Sequence, residues 1–130
     1  MARTLVTGVL LLLLAVLVAG CGVGSADEGE ISDAADTYLR SLAAGDTTAA
    51  CEQLTASARS DLDGGCEAAL RRIAARVGPQ RLEAAADSGI DIAIDGTTGS
   101  AIVGELDARL TLVAVGDGWM ISDGHRLGSR

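Results

Sequence analysis

Ile90-Asp91-Ile92-Ala93-Ile94-Asp95-Gly96-Thr97-Thr98-Gly99 is the stretch that decides the fold class. Its isoleucines recur at every second residue. Successive side chains of an extended chain point to opposite faces, so Ile90, Ile92 and Ile94 share a dry face and Asp91 and Asp95 take the wet one. The run from Asp95 to Gly99 is turn chemistry, and Ala101-Ile102-Val103 makes a short return strand. Residues 109–115 are nearly continuously apolar, as an inner strand is. Gly116-Asp117-Gly118 then turns the chain into Trp119-Met120-Ile121. A meander of about four strands is expected.

Before residue 90 the period is 3.6. Ile31, Ala35, Tyr38 and Leu42 recur at helical spacing with Leu39 beside them, while Asp33, Asp36, Thr37 and Arg40 lie opposite. Gly45 is a left-handed cap candidate, and Asp46 is placed to cap a second helix that carries Ala50, Cys51 and Leu54 inward. Thr55 caps a further short turn with Ala58 and Leu62, and Gly64-Gly65 breaks it. Cys66, Leu70, Ile73 and Val77 form a third stripe, with Arg71, Arg72 and Arg76 outside and Gly78-Pro79 as the stop. Residues 81–88 read equally as a helix end or a linker. Residues 125–130 read as a polar tail that frays. Helices followed by a meander predict an α+β domain over residues 31–124, because the sheet has one face to bury and the helices are its only cover.

The chain has 130 residues, room for one domain, and its mean hydropathy is +0.34 despite 22% charged residues. The apolar excess sits at the start. Arg3 supplies a positive charge, residues 5–18 an apolar run, and small residues close it, the plan of a secretory signal. A membrane-spanning helix needs about 20 apolar residues, and no basic residue follows this run as a stop. Residues 22–30 are flexible, then acidic, and suit a tether.

Val18-Ala19-Gly20-Cys21 resembles the lipobox of bacterial lipoproteins at every position. The resemblance implies a signal peptide over residues 1–20, cleavage between Gly20 and Cys21, and a diacylglyceryl group on the Cys21 sulfur. Two acyl chains give a lasting anchor where one binds only marginally. The expected location is the extracytoplasmic face of the cell membrane, with the lipid on Cys21 as the membrane partner.

Lipidation of Cys21 leaves an even pair, Cys51 and Cys66, in an oxidising compartment. A disulfide closing about 15 residues contributes about 3 kcal/mol in the chain-entropy model. Two buried free thiols, or a metal site completed by His125, are the competing readings, although the cysteine spacing is wrong for zinc and no fourth ligand is visible. No cofactor is implied. Beyond Gly20 nine arginines face 18 acidic residues, a formal charge of −9. Nucleic acid is therefore excluded as a partner, since phosphate binding needs a basic face.

Tyr38-Leu39-Arg40-Ser41-Leu42-Ala43-Ala44-Gly45-Asp46, then Ala49-Ala50-Cys51-Glu52-Gln53-Leu54-Thr55, Cys66 after a glycine pair, Leu110-Thr111-Leu112-Val113 and Gly118-Trp119-Met120-Ile121 resemble small actinobacterial lipoproteins of the nuclear-transport-factor-2-like superfamily. The resemblance implies a curved antiparallel sheet wrapping helices into a cone, often with a pocket at the wide end, and a possible homodimer. Tyr38 and Trp119 are the candidate pocket residues; each also reads as core. The preferred function is a membrane-anchored binding or interaction module for an unknown protein or small molecule. The alternative is an isomerase- or cyclase-like enzyme, which requires an apolar cavity with Tyr38 and a carboxylate pointing inward. No catalytic residue is assigned, because the alternation that buries the isoleucines turns Asp91 and Asp95 to water.

Overall fold

The structure is a computed structural model that describes residues 23–128. Among the described residues five helices, α1 (Val23–Ala44), α2 (Thr47–Glu52), α3 (Ala56–Ser60), α4 (Cys66–Val77) and α5 (Pro79–Asp87), precede four strands, β1 (Asp91–Asp95), β2 (Thr98–Val103), β3 (Ala108–Val115) and β4 (Gly118–Asp123). A short 3-10 turn, Gly104–Leu106, links β2 to β3. The sheet is antiparallel and open, in the order β1-β2-β3-β4. The fold class is α+β, as the change of period predicts.

Register puts the apolar residues in rows across one face. Ile92 pairs with Ala101 and Ala101 with Leu110; Ile94 pairs with Gly99, Gly99 with Leu112 and Leu112 with Ile121. The helices cover this face, where Ile31, Tyr38, Leu39, Leu42, Leu54, Leu70 and Leu82 are buried with it in one cluster. At Gly99 α1 lies close against the sheet. A Cβ there would lie 2.6 Å from Ile31 Cδ1 and 3.5 Å from the Trp119 ring, so the absence of a side chain sets the spacing between helix and sheet. The β1–β2 and β3–β4 hairpins have two-residue loops that begin with a positive-φ glycine, Gly96 and Gly116, the pattern whose twist matches the strands.

The edges of the sheet are treated differently. β4 is closed by the segment after α2: the Thr55 N–H donates to the Ile121 carbonyl at 2.9 Å, and the Ile121 N–H donates to Gln53 at 2.8 Å. β1 keeps its outer edge, and its short length and its flanking Asp91 and Asp95 discourage pairing with another chain. Asp46 and Thr55 cap α2 and α3 as their residue types predict, accepting from Ala49 and Ala58 N–H at 3.1 Å each.

Three segments depart from expectation. Gly78-Pro79 is a corner as well as a stop: Gly78 closes α4 at φ +94°, and Pro79, which needs no N–H partner at a first helical position, opens α5. The ambiguous residues 81–88 are therefore mostly helix, held by buried Leu82, Ala85 and Ala86. Residues 23–30, read from composition as a flexible tether, form the first turns of α1. Once the stripe from Ile31 to Leu42 is docked, each added residue gains a backbone hydrogen bond without a new nucleation cost. Finally, the chain after β4 does not fray: His125 and Leu127 are buried, and the tail folds back on the core as far as residue 128.

Candidate functional site

Two regions gather chemically capable side chains. The first surrounds the disulfide. Cys51, late in α2, and Cys66, the first residue of α4, are bridged with their Cα atoms 6.1 Å apart. Neither thiol is free, which removes the buried-thiol and metal-ligand readings of this pair. An open cleft beside the bridge is lined by Thr48, Glu52, Arg59, Gly64, Glu67 and Arg71. The Thr48 hydroxyl donates to the Glu67 carboxylate across it, tying α2 to α4.

The second region lies at the end of the core where β4 gives way to residues 124–128. Gly124 has φ +80° and sits so close to β3 that a Cβ would stand 1.9 Å from the Arg109 carbonyl oxygen. The chain then places His125, 4% exposed, and Leu127, 5% exposed, against the core. The Tyr38 hydroxyl donates to the His125 carbonyl at 2.6 Å. The Arg126 guanidinium donates to the Asp61 carbonyl at 2.7 Å, and Arg76 donates to the carbonyl of Arg126. An open cleft runs along this segment, lined by Asp61, Asp123, Arg126 and Gly128 together with His125.

The electrostatics of the region follow from burial. Tyr38 has no exposed surface, and desolvation holds its phenol far above its ordinary range, so it is a neutral donor at every relevant pH. His125 is pushed below its ordinary value, first by desolvation and then by Arg126, with Asp123 and Asp61 pulling the other way. Both ring nitrogens are buried and neither meets a hydrogen-bond partner among the described residues. A neutral imidazole carries one N–H, and an unpaired buried donor costs about 1–3 kcal/mol. The remaining contacts of this segment have to offset that cost.

Of the residues singled out in the sequence, Gly20 and Cys21 lie outside the described residues. Tyr38 is core, its hydroxyl spent on a backbone carbonyl. Trp119 is half-buried and packs beside Gly99 at the other sheet-facing end of α1. Neither lines the clefts described here or the one formed by Leu62, Asp63, Ala69, Arg72, Ile73, Arg76 and Arg126. The arginines of α4 are partly committed: Arg72 donates to the Asp63 carbonyl at 2.6 Å, and Arg76 to Arg126. Among the described residues no group of three or more His, Cys, Asp and Glu side chains is arranged to hold a metal ion.

The sequence pattern placed His125 in a fraying tail, or at a metal site with the cysteines, and gave Gly124 no role. The signal available was Leu127 between Gly124 and Gly128, where an apolar residue between glycines implies a turn with something to bury.

Comparison with protein-family models, with curated proteins and with solved structures found no match to this chain. No helix among the described residues is long and apolar enough to cross a membrane.

Proposed function

We infer that this chain is a lipid-anchored protein of the outer face of a bacterial cell membrane, whose α+β domain serves as a binding or interaction module. The observation that carries the reading is Val18-Ala19-Gly20-Cys21 at the end of a charged and then apolar leader. The cysteine arithmetic supports it. With Cys21 set aside for acylation, the other two cysteines form one bridge, the arrangement favoured where the environment is oxidising. The order of helices and strands is compatible with the nuclear-transport-factor-2-like resemblance, with an open sheet in place of a demonstrated cone. The surface offers open clefts suited to contact with another molecule, and Tyr38, which an isomerase-like site would need at a cavity wall, is held inside the core.

The test is Cys21→Ala in the native host. The unsubstituted protein should incorporate labelled fatty acid and partition into the detergent phase, and the variant should remain an unprocessed, unlabelled precursor. Labelling and partitioning unchanged by the substitution would overturn the anchor and the location together.

A further inference from the structure

We propose that residues 124–128 form an acid-released strap, closed over Tyr38 while His125 is neutral and freed when the imidazole takes up a proton. This inference does not depend on how the domain is tethered.

The geometry is that of a separate closure. The segment leaves the sheet at Gly124, where only glycine fits against the Arg109 carbonyl, and it makes one turn of its own, with the Leu127 N–H donating to the Gly124 carbonyl at 3.1 Å. Its fixings to the body are few: backbone carbonyls reached by Tyr38 and Arg76, one outward donation from Arg126 to the Asp61 carbonyl, and the burial of two side chains. One of those side chains is the only histidine of the protein, and its ring makes no hydrogen bond among the described residues. A neutral ring tolerates this seat as an apolar filler does. A charged ring does not, because nothing in the seat accepts its two N–H groups.

The titratable and charged groups around this segment come from every element packed against it. Asp123 stands at the end of β4, Asp61 follows α3, Arg126 lies in the strap, Arg76 reaches over from α4, and Tyr38 of α1 presents a neutral hydroxyl. The two carboxylates favour a proton on the ring; burial and Arg126 oppose it and prevail. The closed state therefore binds a proton less readily than the open state, whose imidazole titrates near about 6.5. Above that pH both states are neutral and closure is unaffected. As pH falls below it, the open state gains a proton that the closed state refuses. Opening is then favoured by up to about tenfold per pH unit until the closed-state ring itself titrates. Release frees the Tyr38 hydroxyl and the apolar seat of Leu127, so this end of the core is shut at neutral pH and accessible in acid.

The sole histidine makes the experiment unambiguous. The C2-proton resonance of His125 is followed by NMR on the full-length chain from about pH 8 to about pH 5, alongside backbone amide exchange corrected for its chemical rate. The expected results are a midpoint below the ordinary histidine value and exchange at Leu127 that accelerates by up to tenfold per pH unit in acid, with Leu110 and Leu112 unchanged. In His125→Phe, which fills the seat without a titrating group, the acid acceleration should vanish. A midpoint at or above the ordinary value, strap exchange indifferent to pH, or an equal pH slope in the variant would each overturn the proposal. Should His125→Phe fail to fold, the titration and exchange of the unsubstituted protein decide alone.

Discussion

The helical layer is fastened in two places by unlike chemistry. Between α2 and α4 the fastening is covalent, a Cys51–Cys66 bridge between helices whose other buried apolar residues are Ala50, Ala69, Leu70 and Ile73. At the far end of β4 it is a five-residue segment held by backbone carbonyls and two buried side chains, one of them an imidazole with no partner. A bridge acts mainly by restricting the unfolded chain and does not respond to protons in the range where histidine titrates. The C-terminal segment acts only in the folded state and answers to pH but not to a reductant. The difference shows where this small domain needs permanence and where it tolerates opening.

The largest expected effect comes from cutting the covalent fastening. Replacing Cys51 and Cys66 together by Ala should lower global stability by about 3 kcal/mol, the chain-entropy value for a loop of this length, read as a shift of the denaturant midpoint. Reducing the unsubstituted protein should reproduce the shift. The pH dependence of exchange at residues 124–128 should survive both treatments; if it disappears with the bridge, the two fastenings are one cooperative unit and the contrast fails.

Gly124→Ala attacks the other fastening. Its Cβ would stand 1.9 Å from the Arg109 oxygen at a φ of +80°, so either β3 or the segment must move. A loss of about 1–3 kcal/mol is expected, the range for forcing atoms into a packed site. Chemical-shift changes should concentrate at Arg109, Leu110, Tyr38 and residues 124–128. Changes centred on α2 and α4 would show instead that the segment supports the whole core.

How much of this was legible follows from the same contrast. Regular burial leaves a periodic trace: Ile90, Ile92 and Ile94 announced a strand, and the stripe from Ile31 to Leu42 announced a helix. The cysteine pair was legible by counting. The C-terminal segment was not, because five residues with two charged or polar side chains carry no period, and burial of His125 and Leu127 depends on a glycine that fits only a β3 backbone distant in sequence. The backbone pairing of residues 53–55 with Ile121 was hidden for the same reason, since a single pairing across such a separation has no local signature. Residues 81–88 were equivocal because Leu82, Ala85 and Ala86 are a narrow stripe next to a proline, and only docking on α1 decides in favour of helix.

The smallest effect is the most discriminating. Tyr38→Phe keeps the ring that fills the core and removes only the hydroxyl that holds the His125 carbonyl at 2.6 Å. One buried hydrogen bond contributes about 1 kcal/mol, so global unfolding should shift by that amount, and opening of residues 124–128 should rise by roughly fivefold. Because burial keeps the phenol neutral throughout the accessible range, this factor must be the same at neutral and at acid pH. Amide exchange at Leu127 against pH should therefore give a curve parallel to that of the unsubstituted protein and displaced toward opening. A displacement that grows in acid would mean that Tyr38 senses the charge on His125 through its hydroxyl, and the carbonyl contact and the imidazole would then be a single switch in place of two independent terms.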